Sequence, residues 1–168
     1  MSAIAETDRL IIREFLPEEE DLFVDMHQDE DVARYLPPRT ADEYRKVFRE
    51  SQEANSAPTG LSRWGIFNKT NGSFIGSCLM RDAKDAPGKI EMGYSLCKGH
   101  WGKGYATEMA KALLDYGFTK MKFPLICAVT HPDNMPSQNV LLKAGMQRNG
   151  EVFWHGSTLS YFFIETKN

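Results

Sequence analysis

The stretch from Leu96 to Glu108, Leu-Cys-Lys-Gly-His-Trp-Gly-Lys-Gly-Tyr-Ala-Thr-Glu, constrains this chain more than any other. It follows an apolar run, Ile90 to Leu96, that reads as a strand, and it leads into the helical spacing of Ala106, Met109, Ala110, Leu113 and Leu114. Glycines at 99, 102 and 104 let the backbone turn sharply and let a ligand approach with no Cβ in the way. The first turn of the following helix offers unpaired N–H groups and a partial positive charge, which suits an anionic phosphate.

The common nucleotide patterns do not fit these residues. A Walker loop would need glycine where Cys97 stands and Ser or Thr where Gly104 stands. A dinucleotide fingerprint starting at Gly102 would place its third glycine on Thr107, in mid-chain and without repeated βαβ units. A strand, a Gly-x-Gly loop and a helix remain, and by themselves they also describe a tight turn with no ligand.

At 168 residues the chain reads as one domain, 1–168, large enough to bury a core without staples. A net charge of −3 gives no electrostatic footprint for nucleic acid. Cys78, Cys97 and Cys127 are odd in number, far apart and set in apolar contexts, as expected for reduced cysteines of a cytoplasmic protein. No apolar signal core opens the sequence and no run approaches a membrane span, so neither membrane nor export is expected. No His and Cys spacing suggests a metal site.

Taken in order, Arg9 to Phe15 reads as a strand, and Pro17 with Glu18 to Glu20 opens a helix whose buried side is Leu22, Phe23 and Met26. Thr40 and Glu43 form a capping box for a second helix running to about Ala54. Trp64 to Asn68 and Ser73 to Arg81 form a hairpin around Thr70-Asn71-Gly72. After the strand Ile90 to Cys97, a helix is expected over Thr107 to Met121, then a strand over Phe123 to Thr130 buried on both faces. Ser137 to Ala144 reads as a helix closed by Gly145, and Met146 to Trp154 with Thr158 to Thr166 as a last hairpin around His155 and Gly156. The expected class is α/β (α+β), a mixed sheet flanked by helices.

That order and three local signatures resemble the GNAT superfamily of acyl-CoA N-acyltransferases. Thr7-Asp8-Arg9-Leu10-Ile11-Ile12-Arg13 is similar to the opening of its Rim-type branch, which includes ribosomal-protein N-terminal acetyltransferases. Glu91-Met92-Gly93-Tyr94 with Trp101-Gly102-Lys103-Gly104-Tyr105-Ala106-Thr107-Glu108 resembles the central strand and pyrophosphate loop, and Pro132-Asp133-Asn134, Ser137 and Lys143-Ala144-Gly145 the next strand-to-helix segment. The resemblance runs from about Thr7 to about Glu165. Two departures stand out: Gly99 replaces the usual Gln or Arg, and Leu141 stands where many relatives carry a tyrosine that can protonate a leaving thiolate.

The resemblance implies an acetyl-CoA-dependent transfer of an acetyl group to a primary amine, most simply a protein N-terminal α-amino group. It implies that backbone amides from Gly99 to Ala106, flanked by Leu96 and Cys97, hold the coenzyme; the side chains in that stretch are His100, Trp101, Lys103 and Tyr105, beside Gly102 and Gly104. Such a reaction needs a deprotonated amine, an oxyanion donor around Ser95 to Cys97, and relief for the departing thiolate. By resemblance Glu91 is the base, Ser137 the thiolate donor, and Asn134 a contact to the pantetheine arm. Alternation sets Glu91 on the face opposite Ile90, Met92, Tyr94 and Leu96, so that the core would leave it uncovered; the bland alternative is a strand residue paired with a surface cation. Asn134 and Ser137 equally suit helix capping. His27 reads as a helix-surface residue, and His131 and His155 as turn residues. Arg34 to Arg39 and the hairpin near Trp154 and His155 are expected to select the acceptor.

Three rival functions remain at this level: acetylation of a polyamine or aminoglycoside, a non-catalytic module that binds coenzyme A, and a different phosphate ligand. An enclosed acidic pocket beside Glu91 would favour a polycation, and a wide cleft a peptide. Either a monomer or a homodimer is compatible with the sequence.

Overall fold

The computed structural model describes residues 3–84 and 86–166. Its centre is an eight-stranded sheet in the order β1-β2-β3-β4-β5-β6-β8-β7, built from β1 (Ala3–Glu6), β2 (Leu10–Arg13), β3 (Ser62–Asn68), β4 (Phe74–Asp82), β5 (Ile90–Leu96), β6 (Leu125–Thr130), β7 (Gln147–Trp154) and β8 (Ser157–Glu165). Every neighbouring pair is antiparallel except β5 and β6. A parallel pair needs a crossover, and α4 (Tyr105–Asp115) supplies it.

The two faces of the sheet are covered differently. On one, Leu10, Ile12, Ile66, Cys78, Met80 and Met92 pack on Met109, Ala110 and Leu113 of α4 and Leu141 of α5 (Met135–Lys143). On the other, α1 (Glu20–Gln28) and α3 (Ala41–Ala54) seal a second core of Phe15, Phe23, Val24, Tyr44, Phe48 and Phe67. A third cluster, Ala83, Cys127, Trp154, Leu159 and Tyr161, lies towards β7 and β8. The expected capping box is present, with Glu43 N–H donating to Thr40 Oγ1 at 3.2 Å and Thr40 N–H to Glu43 Oε1 at 3.0 Å.

Several expectations are corrected. β1 is an additional edge strand whose short Ala-Ile-Ala-Glu sequence carries too little alternation to announce itself. A single-turn helix, α2 (Glu30–Ala33), follows α1, started by the Asp29 side chain accepting from Asp31 N–H at 2.9 Å. Leu22 is 43% exposed, whereas His27 is buried: its ring stacks on Tyr44, 4.3 Å between centroids, and its Nδ1 bonds the Phe23 carbonyl. Helix α4 begins at Tyr105, two residues before the expected Thr107, and its continuation over Tyr116–Lys120 widens into a π-helical turn. No helix among the described residues is long and apolar enough to cross a membrane.

Candidate active site

Strands β5 and β6 pair only at Ile90 with Ile126 and Glu91 with Cys127, and then diverge. The antiparallel register of β5 on β4 is unbroken, and the Cys97 N–H donating to Ile75 C=O at 2.9 Å sets its phase. Alternation then turns the backbone groups of Ser95 and Gly93 towards β4 and those of Leu96 and Tyr94 towards the gap. Two consecutive inward-facing N–H groups thus line a cleft in the middle of the sheet. The Leu96 side chain itself belongs to the core, 6% exposed.

The glycine loop closes one end of this cleft. Lys98–His100 form a 3₁₀ turn in which His100 N–H donates to Cys97 C=O and Trp101 N–H to Lys98 C=O. The Trp101 indole N–H donates back to the Leu96 carbonyl at 2.9 Å, tying the loop to the strand end. Gly102 and Gly104 have φ of 73° and 82°, the left-handed region that costs a glycine nothing, and Gly104 is the N-cap of α4 with no side-chain cap. Among the described residues the amides from Gly102 through Thr107 have no backbone acceptor, whereas those of His100 and Trp101, expected in the set, are spent inside the 3₁₀ turn.

These residues fit a pyrophosphate. A Cβ at Gly99 or Gly102 would meet nothing within 4 Å, so the surface there is open. His100 Nδ1 is buried and has no hydrogen-bond partner among the described residues. The vacancy at Gly99 is no packing demand; a longer side chain would fit.

The loop is held from outside by the start of β2. Arg9 donates through Nε to Glu108 Oε1 at 2.9 Å and through Nη1 to the Lys103 carbonyl at 2.9 Å, and its guanidinium lies 4.3 Å over the Tyr105 ring. Thr7 Oγ1 donates to Glu108 Oε2 at 2.5 Å. Burial alone would raise the Glu108 carboxyl, but the bonds from Thr7 and Arg9 outweigh it and hold it below the usual carboxylate range. The Thr-x-Arg opening and the glutamate after the loop, two separate sequence signatures, are one clamp.

At the point of divergence stands Glu91. It is 2% exposed, which corrects the expectation that the core would leave it uncovered: the face it projects from is roofed by the third cluster and the β7–β8 turn. Its Oε2 accepts from Arg81 Nε at 2.7 Å and its Oε1 lies 2.8 Å from His155 Nε2. Burial pushes the carboxyl up, but the His155 hydrogen bond and the Arg81 charge overcome that and lower it on balance. A carboxylate needs a donor at 2.8 Å, so Nε2 donates to Glu91; Arg81 Nη2 also lies 3.3 Å from that nitrogen. The β7–β8 turn places the ring there, with His155 at φ 55° and Gly156 at φ 80°, the pair of left-handed residues that a two-residue hairpin requires. His155, read from sequence as a turn residue near the acceptor, is thus a partner of Glu91; only the turn geometry could have signalled it.

Across the cleft, Tyr94 Oη donates to Ser137 Oγ at 3.3 Å. Burial raises the Tyr94 phenol, offset in part by Ser137, so it stays protonated. Asn134 is the N-cap of α5, its Oδ1 accepting from Ser137 N–H at 3.3 Å, the capping role foreseen as the alternative for this residue. Leu141 is buried core. Above the cleft, Lys98 pairs with Asp31, and Tyr35 stacks on His131 with 4.9 Å between centroids, so α2 and the segment after it lean over the opening. Among the described residues no group of three or more His, Cys, Asp or Glu side chains is arranged to hold a metal.

Comparison with known proteins follows this geometry. The model of the acetyltransferase (GNAT) domain matches residues 9–147. An uncharacterized N-acetyltransferase, p20 of Bacillus licheniformis, is 31% identical over 147 residues, covering 86% of this chain and 82% of its own. A GNAT-family acetyltransferase from Bacillus anthracis superposes with a TM-score of 0.82 at 26% identity, over 96% of this chain and 97% of that one. RimL, a ribosomal L7/L12 α-N-protein acetyltransferase solved with coenzyme A, has the same fold with a TM-score of 0.80 at 13% identity, over 98% of each chain.

Proposed function

The chain belongs to the GNAT acetyltransferase family, and from that premise we propose that it acetylates a protein N-terminal α-amino group with acetyl-CoA as donor. One observation carries this reading. The cleft where β5 leaves β6 has the glycine loop at one end and the Glu91–His155 pair at its apex, so a donor and a proton acceptor face one gap. Acetyl-CoA, when bound, supplies the activated acetyl group.

The free amides from Gly102 to Thr107, with the positive end of α4, hold the donor's pyrophosphate. His100 and Lys103 border that surface, and Asn134 flanks the arm. The inward N–H groups of Tyr94 and Leu96 stand ready for negative charge developing on the acyl oxygen. Tyr94 and Ser137 form a hydroxyl pair for the thiolate: the phenol donates to Ser137 Oγ and frees the serine proton to be donated onward. A serine is a weak acid, so its contribution is hydrogen bonding.

The proton of the attacking amine goes to the Glu91–His155 pair. Glu91, committed to Arg81 and His155 and with a lowered pKa, is a poor acceptor by itself. It instead fixes the His155 tautomer and balances the charge that the imidazole gains. An α-amino group, with a reference pKa of about 7.7 to 8.0, is largely neutral near neutral pH and makes a modest demand on such a base. A lysine, near 10.4, would demand more.

Consumption of acetyl-CoA against N-terminal peptides, polyamines and aminoglycosides, with the modified atom located by mass spectrometry, tests the assignment. Acetyl on a peptide α-amine is the expected result. Turnover confined to polyamines or aminoglycosides overturns it, and binding of acetyl-CoA with no turnover favours the non-catalytic module.

A further inference from the structure

The face of the sheet that carries Glu91 also carries Arg63, which forms no salt bridge among the described residues. Registers place Arg63 opposite Leu79 and Leu79 opposite Gly93, while the adjacent row holds Arg81 opposite Glu91. Directly opposed residues project to the same side, so Arg63, Leu79, Gly93, Arg81 and Glu91 share one face. Gly93 has no side chain and leaves the floor between them low; a Cβ there would only touch Leu79 at 3.6 Å.

Arg63 is half-buried, its guanidinium 5.4 Å over the Phe23 ring, and Arg39 approaches from the segment after α2, 5.8 Å over the Tyr44 ring. Of the carboxylates on the packing elements, Glu20 of α1 pairs with Arg49 and Glu91 of β5 with Arg81, while Glu43 of α3 accepts from the Thr40 N–H and its charge also acts on Arg39. Among the described residues neither Arg39 nor Arg63 forms a salt bridge. Burial, then the charges of Arg81 and Arg39, lower the Arg63 guanidinium to about 10. An unpaired cation kept in a half-buried site against its neighbours' repulsion is costly unless an anion completes it. The surroundings of Arg63 are thus cationic, the opposite of what a polyamine or aminoglycoside would require.

We infer that Arg63, assisted by Arg39, is an anion subsite of the acceptor cleft, and that the preferred acceptor is a peptide N-terminus with a carboxylate side chain among its first three residues. The spacing sets that position. Arg63 and Gly93 stand two strands apart, about 10 Å at the usual strand separation, and an extended peptide advances about 3.3 to 3.6 Å per residue. The inference rests on the proposed peptide acceptor and narrows it.

The test uses the intact protein and peptide pairs that differ only by Asp to Asn or Glu to Gln at positions one to three. In the wild type the best acidic peptide should exceed its amide partner at least about tenfold in kcat/KM, and in calorimetric affinity with coenzyme A present. Arg63→Gln should reduce that ratio to near one while the amide peptide changes less than about twofold; Arg63→Lys should restore part of it, and Arg39→Gln, an exposed position, should lower it partly. Equal affinity for acidic and amide peptides, absent binding of both included, overturns the inference. So does an acid preference that survives in Arg63→Gln. Free glutamate and aspartate are run alongside: if they alone are acetylated and depend on Arg63, the anion subsite stands and the peptide acceptor falls.

Discussion

Glu91 Oε1 lies 2.8 Å from His155 Nε2, joining the centre of the sheet to the tip of its last hairpin across 64 residues of sequence. The pair converts a buried carboxylate, which Arg81 alone would leave as a spent ion, into the support of an imidazole whose side chain is 25% exposed. Under the proposed function the two residues act as one unit.

Replacing either member should therefore cost about the same. Glu91→Gln and His155→Gln should each lower kcat by about 10² to 10⁴, the usual worth of a positioned base. The double variant should be no worse than the more damaging single one, as for residues that act together. Steady-state kinetics with a saturating peptide measure this, and multiplicative losses would show that the two act separately. The acetyl-CoA KM should stay within about threefold, since neither residue touches the loop.

Tyr94 and Ser137 make the second prediction. Ser137→Ala should reduce kcat with little change in the acetyl-CoA KM. Tyr94→Phe, which removes the donor at 3.3 Å but keeps the ring, should produce a smaller loss. In the Ser137→Ala background, Tyr94→Phe should add nothing further. An undiminished kcat in Ser137→Ala would move the thiolate contact elsewhere.

The clamp on the glycine loop predicts a different kinetic signature. Arg9→Ala and Glu108→Gln should raise the acetyl-CoA KM several-fold and leave kcat near the wild-type value, because the clamp fixes the loop amides proposed to hold the donor and not the reacting atoms. Gly104→Ala should do the same more strongly. Its φ of 82° costs an L-residue roughly 1 to 2 kcal/mol, and the new Cβ would stand 3.3 Å from Arg9 Nη2. Calorimetry with coenzyme A separates this from an effect on chemistry.

His27 should make stability depend on pH. Burial, offset in part by its bond to the Phe23 carbonyl and reinforced by the nearby Arg63 and Arg39 charges, lowers its pKa from 6.5 to about 4. Between those values the unfolded chain binds the proton and the folded chain does not, so stability is full above pH 6.5 and falls as pH drops towards 4. The two and a half units correspond to a loss of about 3 kcal/mol. Denaturant titrations at pH 7.5 and 4.5 should show it, and His27→Phe should flatten that part of the slope.

How far the sequence is legible depends on the range of the interactions that decide each feature. The Thr40–Glu43 box and the Gly72 and Gly156 turns are local, and short-range chemistry announces them; α5 begins at Met135, two residues before the expected Ser137. β1 and α2 are too short for periodicity to register. Leu22 lies at the surface and His27 in the core because a helix stripe shows only which residues are candidates for burial, while the roof over His27, the Tyr44 ring, comes from a different helix.

The candidate site divides in the same way. The glycine loop, the Glu91 strand and the Asn134–Ser137 segment were visible as motifs, since backbone conformation at a Gly-x-Gly junction and capping at a helix start are properties of a few consecutive residues. That Glu91 is buried, that Arg81 and His155 occupy its two oxygens, that Arg9 and Thr7 grip Glu108, and that Arg63 forms no salt bridge among the described residues lie beyond a reading of the sequence. Each depends on strand register or on a turn delivering a side chain from tens of residues away. Sequence by itself determined what kind of molecule this is, a mixed-sheet acetyltransferase with a glycine loop between strand and helix, because local backbone chemistry recurs in local sequence. Only the tertiary structure decided the charges around Glu91 and Arg63, because a charge is neutralised by its neighbours in space and not by its neighbours in the chain.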